Sequence, residues 1–123
     1  MAAKRKLALP KRGEIYLVSF DPTVGAEIQK TRPALVLQNN IANEHSPITI
    51  VAAITSQFDE KLYPTEVLIQ SSESGLPKDS VVLLNQIRSI DKQRLVKCLG
   101  KVTDEIMALV NQAIQVSLGL IEL

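Results

Sequence analysis

One arrangement recurs from Gly13 to Val102: a short apolar segment rich in Val, Ile and Leu, then a cluster of Pro, Gly, Asn, Asp or Ser. Segments of that length and composition read as β-strands, and the clusters between them as turns. Gly13 to Phe20 (GEIYLVSF) is a first strand that stops at Asp21-Pro22. Pro33 to Gln38 (PALVLQ) is a second, with proline at its first position, where a missing N–H does least harm; Asn39-Asn40 closes it. Ile48 to Thr55 (ITIVAAIT) is apolar on both faces and follows Ser46-Pro47, so it reads as a central strand. Thr65 to Gln70 is a fourth. Ser80 to Leu84 is a fifth, continued by Gln86 to Ile90 after a bend. Asp91 to Arg94 reads as a short helical turn and Val96 to Val102 as the last strand. Such a series predicts a mainly β chain folded as an antiparallel barrel or sandwich.

The end of the chain changes period. Thr103 can cap a helix, with Asp104 and Glu105 near its positive end. Ile106, Leu109, Val110, Ala113, Ile114, Ser117 and Ile121 then fall on one face at helical spacing. The pattern predicts a C-terminal α-helix whose stripe packs on the barrel or on a second subunit.

With 123 residues, 46% of them hydrophobic and 22% charged, the chain suits one globular core. We expect residues 1–10 to be a basic, flexible tail and 11–123 to be a single domain. No stretch approaches the roughly 20 apolar residues of a membrane span. The start is too short in apolar residues for a secretory signal, and the single cysteine, Cys98, cannot form an internal disulfide. The expectation is a soluble cytoplasmic protein with no membrane partner. The net charge of +1 hides an asymmetry. Lys4, Arg5, Lys6, Lys11 and Arg12 open the chain, whereas the rest carries nine basic and thirteen acidic residues. An acidic body argues against coating long nucleic acid, so any nucleic-acid contact should be short and specific.

Most catalytic chemistries lack their residues here. One histidine and one cysteine, with no carboxylate pair at helical spacing beside them, do not make a metal site. His45 reads as an exposed loop histidine and Cys98 as a small buried hydrophobe in a strand. The five glycines form no phosphate-cradling pattern. What remains is polar residues at strand ends, Arg32 before PALVLQ and Thr55 closing ITIVAAIT. Neither decides anything alone, since an arginine flanking a strand serves equally as a surface ion-pair partner.

The segments RGEIYLVSFDP with VGAE, TRPALV, the AAIT strand end and QIRSIDKQRL, taken together, strongly resemble the MazF/PemK family of toxin endoribonucleases, over Lys11 to Leu123. That resemblance implies an SH3-like antiparallel barrel with a C-terminal helix and a homodimer. It implies metal-independent, ribosome-independent cleavage of single-stranded RNA, mRNA included, at a short sequence, with no cofactor. It also implies a cognate MazE-like antitoxin whose C-terminal segment occupies the RNA groove. By position, the family's catalytic arginine and threonine fall on Arg32 and Thr55. Substrate-binding roles fall on Glu27, Lys30, Thr31, Gln57, Asn85 and Gln86, with the loop from Thr23 to Thr31 folding over the site. The sequence departs from the family where Ile28, Gln29 and Lys30 replace a glycine-rich run, and at Asn85, where some relatives carry an acid. The implied chemistry suits the residues. RNA carries its own nucleophile, the 2′-hydroxyl, so an enzyme need only align the backbone and stabilise charge on the phosphate. Two other classes stay open on sequence alone: an inhibitor that binds a protein, and an RNA-binding module without turnover.

Overall fold

The computed structural model describes residues 8–20, 25 and 30–122. Glu27, most of the loop from Thr23 to Thr31, and the first seven residues of the basic tail lie outside them. Six strands form one antiparallel sheet: β1 (Glu14–Ser19), β2 (Thr31–Val36), β3 (Ile48–Thr55), β4 (Glu66–Ile69), β5 (Ser80–Asp91) and β6 (Leu95–Lys101). Helix α1 (Asn40–His45) follows β2, α2 (Ser71–Ser74) links β4 to β5, and α3 (Asp104–Ser117) ends the chain. The sheet order is β4-β5-β3-β2-β1-β6.

The central strands are apolar on both faces because the sheet is buried on both. On β2, Leu35 enters a core with Ile15, Ala52, Ile54 and Leu84, while its neighbours Ala34 and Val36 enter a second core with Val18, Phe20 and Val51. Helix α3 covers the first core with Val110 and Ala113. Thr103 caps this helix as expected, its hydroxyl accepting from the Ile106 N–H at 3.2 Å. Only part of the helical stripe is covered, however: Leu109 is 51% exposed.

The six strands make an open sheet, without the strand closure expected of a barrel. Strands β4 and β6 are the edges of the sheet, and the space between them is bridged by α2 against β6. A Cβ on Gly100 would lie 2.5 Å from the Ser74 carbonyl oxygen, and one on Gly75 would lie 2.6 Å from the Leu99 carbonyl oxygen. Gly75 also ends α2 with a left-handed φ of +78°, which glycine adopts without steric cost. Two glycines thus let the backbone of α2 approach that of β6 without a strand ladder between them.

Several boundaries differ from the sequence reading. Strand β2 begins at Thr31, before Pro33, because Thr31 and Arg32 pair with Ser19 and Val18 of β1. The fifth strand and its continuation are one strand, with a register shift opposite Ala52 to Ile54. His45 ends a short helix rather than sitting in a loop. Asn39 begins that helix by accepting from the Ala42 N–H at 2.8 Å. Cys98 is exposed, not buried, because β6 is an edge strand. Partial burial still pushes its thiol pKa up, against the lowering effect of a backbone hydrogen bond with Gly100, and the Glu14 carboxylate adds to the rise.

A buried polar knot fixes the end of the sheet where β3 begins. The Asn43 side-chain oxygen accepts from Thr49 Oγ1 at 2.7 Å and from Gln38 Nε2 at 2.9 Å, and its Nδ2 donates to the Gln38 carbonyl at 2.8 Å. The Lys92 ammonium, only 4% exposed, donates to the Asn43 carbonyl. Asn43→Ala would leave the buried Thr49 hydroxyl without its acceptor. We expect a loss of about 2 kcal/mol in urea unfolding, within the usual cost of an unsatisfied buried polar group.

Candidate active site

The register of the sheet places the two residues left over from the sequence argument. Strands β2 and β3 pair at Ala34↔Ala53, Leu35↔Ala52 and Val36↔Val51. Continued two residues outward, the same register sets Arg32 opposite Thr55, on the face of Ala34 and Ala53. The ladder stops one step before Pro33, which has no N–H to contribute. Beyond that point the strand ends border a cavity of about 250 Å³ lined by both Arg32 and Thr55.

Each side chain is held differently. The Thr55 hydroxyl accepts from the Gln57 N–H at 3.1 Å and donates toward the Gln57 carbonyl at 3.4 Å, which folds the chain back as it leaves β3. Arg32 is exposed on β2. The strands behind it are anchored by two other arginines: Arg94 donates to the Ser19 carbonyl at 3.1 Å, and Arg88 stacks over the Phe20 ring at 5.3 Å. The Phe20 N–H donates to the Lys30 carbonyl at 2.9 Å and closes the base of the β1–β2 loop. Lys30 takes a left-handed φ of +64°, costly for a residue with a side chain, directly beside the strand that carries Arg32.

The remaining wall comes from the turn between α2 and β5, supplying Leu76, Pro77, Lys78 and Ser80. Among the described residues, the lining holds two cations, Arg32 and Lys78, and no carboxylate. A neighbouring groove of about 540 Å³ shares Ser56 and Gln57 with the cavity and continues past Phe58 and Tyr63, with Asp59 and Glu66 also in its lining. Those rings are 39% and 68% exposed, so flat apolar surface lies open beside the cationic end. Among the described residues, no group of three or more His, Cys, Asp or Glu side chains could hold a metal ion.

Of the residues expected at the site, Arg32, Thr55 and Gln57 come together in the cavity. Thr31 and Lys30 precede Arg32 on the same exposed strand edge without lining the cavity. Asn85 and Gln86 fall at the register shift of β5, away from the cavity. The sequence reading missed Lys78 and Ser80, which sit in a stretch, SSESGLPKDS, whose composition signals only a turn.

The model of the PemK-like, MazF-like toxins of type II toxin-antitoxin systems matches residues 11–118. The chain belongs to the PemK/MazF toxin family. Among its relatives, this PemK/MazF chain is 48% identical over 112 residues to the endoribonuclease EndoA of Bacillus subtilis, an alignment covering 91% of this chain and 97% of the relative. It is 46% identical over 110 residues to the endoribonuclease MazF of Staphylococcus saprophyticus, covering 89% and 92%. The crystal structure of MazF from Deinococcus radiodurans superimposes with a TM-score of 0.77 at 29% identity, covering 91% of this chain and 98% of the other. A mycobacterial endoribonuclease in complex with its cognate antitoxin gives 0.74 at 26% identity, covering 93% and 99%. The mainly β fold with a C-terminal helix is therefore the fold of this family. Among the described residues, no helix is long and apolar enough to cross a membrane.

Proposed function

We propose that this PemK/MazF-family toxin is a cytoplasmic endoribonuclease that cuts single-stranded RNA, mRNA included, at a short sequence, through Arg32 and Thr55 in a single domain spanning residues 11–123. The observation that carries the reading is that these two side chains, matched across neighbouring strands, line one cavity. In the reaction we assign, the ribose 2′-hydroxyl attacks the adjacent phosphorus and loses its proton. The bond from phosphorus to the 5′-oxygen breaks, and that oxygen gains a proton. The products are a 2′,3′-cyclic phosphate, or the 3′-phosphate formed by its hydrolysis, and a 5′-hydroxyl end.

The permanently charged, planar guanidinium of Arg32 can hold two phosphate oxygens at once as negative charge builds on them. Its high pKa suits it to electrostatic stabilisation and not to proton abstraction. The Thr55 hydroxyl, which both donates and accepts, positions the 2′-hydroxyl or a phosphate oxygen. Exposed Phe58 and Tyr63 offer stacking faces to unstacked bases in the continuing groove, and Gln57 offers hydrogen bonds to base edges. Lys30, Thr31, Asn85 and Gln86 are assigned to the outer substrate path. The chain works as a homodimer and is silenced by a cognate antitoxin, a partner supported by the relative solved with its own.

The test is cleavage of a single-stranded transcript in EDTA, followed by sequencing of new 5′-hydroxyl ends. We expect discrete cuts at a shared short sequence; transcripts left intact would refute the proposal. Thr55→Val keeps the β-branched shape and removes the hydroxyl. It should lower kcat by roughly 100-fold or more, the usual effect of losing one well-placed hydrogen-bonding group. Thr55→Ser should recover most of that activity, and a fully active valine variant would remove Thr55 from the mechanism.

A further inference from the structure

We propose that Lys78, on the turn between α2 and β5, is a second phosphate-binding cation that holds the RNA backbone one step from the scissile phosphate. The inference rests on the ribonuclease reading above. Its first support is charge. The body of the chain is acidic, yet among the described residues the lining of the cavity that holds Arg32 and Thr55 has two cations and no acid. A polyanion entering there meets Lys78 as well as Arg32.

The second support is the way the turn is built. Leu76 is buried in the core below α3, and its N–H donates to Ser74 Oγ at 3.2 Å. Gly75 rests against the Leu99 backbone. The neighbouring acid, Asp79, is turned away from the cavity, its carboxylate accepting from the Ser71 N–H at 2.8 Å. The buried Ser80 hydroxyl donates to the Lys78 carbonyl at 3.0 Å, and Pro77 restricts φ on the other side. The lysine therefore springs from a backbone fixed before substrate arrives, and the carboxylate next to it in sequence is already engaged. Such preorganisation reduces the ordering cost of each contact. Lys78 belongs to a different element from Arg32 and Thr55 and lines the same cavity. Its role is to position the backbone rather than to act on the reacting atoms.

The experiment compares the wild type with Lys78→Gln and Lys78→Arg on an oligoribonucleotide spanning a mapped cut site. Cleavage kinetics use the all-ribose strand. Binding uses the same strand with a 2′-deoxyribose at the cut, titrated across salt concentrations. We expect Lys78→Gln to raise KM by roughly fivefold, the worth of one solvent-exposed charge pair, with kcat within about twofold of wild type. The slope of log affinity against log salt should fall by about 0.7, one phosphate contact on a single strand, and Lys78→Arg should restore both. Unchanged KM and slope in Lys78→Gln, with the wild type active, would overturn this assignment and leave the nuclease standing. An equal fall in kcat would overturn it too, by placing Lys78 in the chemical step. Failure of the wild type to cut would remove both.

Discussion

Arg32→Ala should lose RNA cleavage by a factor of 1,000 or more while the protein keeps its fold, its unfolding midpoint moving by less than about 0.5 kcal/mol, as for an exposed residue. The asymmetry follows from where the side chain sits. Arg32 is exposed at the rim of the cavity, so truncation opens no hole in either core. In the reaction proposed above, however, it is the charge that faces a phosphate whose negative charge grows toward the transition state, where a well-placed cation has most effect. Arg32→Lys keeps the charge but not the planar fork, and should recover only a small part of the rate. Single-turnover cleavage of a labelled oligonucleotide separates the rate from binding. Wild-type rates in Arg32→Ala would end the assignment.

Gly100→Val should cost more than any surface change in the molecule, about 3 kcal/mol or beyond, at the upper end for overpacking. A Cβ at this position meets a main-chain carbonyl, that of Ser74, and not the flexible tip of a side chain, so nothing can swing aside. Gly100→Ala should cost about 1 to 3 kcal/mol by the same contact. Gly119→Ala is a useful comparison: no atom lies within 4 Å of a Cβ there, although its φ of +72° imposes its own strain. Thermal or urea unfolding reads the difference, and a Gly100→Val protein as stable as wild type would mean that the close approach of α2 and β6 is not needed for the fold.

Much of the architecture was legible because burial on two faces leaves a plain record. The bounds of β3, Ile48 to Thr55, follow from an unbroken apolar run behind Ser46-Pro47. The start of α3 follows from Thr103 and the two acids behind it. Features that depend on distant parts of the chain were not legible. The exposure of Cys98 is decided by β6 lying at an edge, which no local pattern in LVKCLGK records. Burial of Lys92 runs against the strong preference of lysine for solvent, and depends on a carbonyl far away in sequence, that of Asn43. Helix α1 did leave a sign, Asn39 as a cap, but its stretch is too short and polar for periodicity to register. In the same way Arg32 and Thr55 could be selected by elimination and family resemblance, but their meeting needed the β2–β3 register. Lys78 needed the packed turn.

That register has a further consequence. A one-residue slip of β2 against β3 would send either the guanidinium or the hydroxyl to the opposite side of the sheet. Insertions within these strands would therefore separate the two side chains, and the turn that leaves β3 is tied to the pair as well, through the bonds of Gln57 to the Thr55 hydroxyl. On the assignment proposed above, a change of transcript preference that leaves the cutting chemistry intact would have to come from side chains outside the β2–β3 pairing.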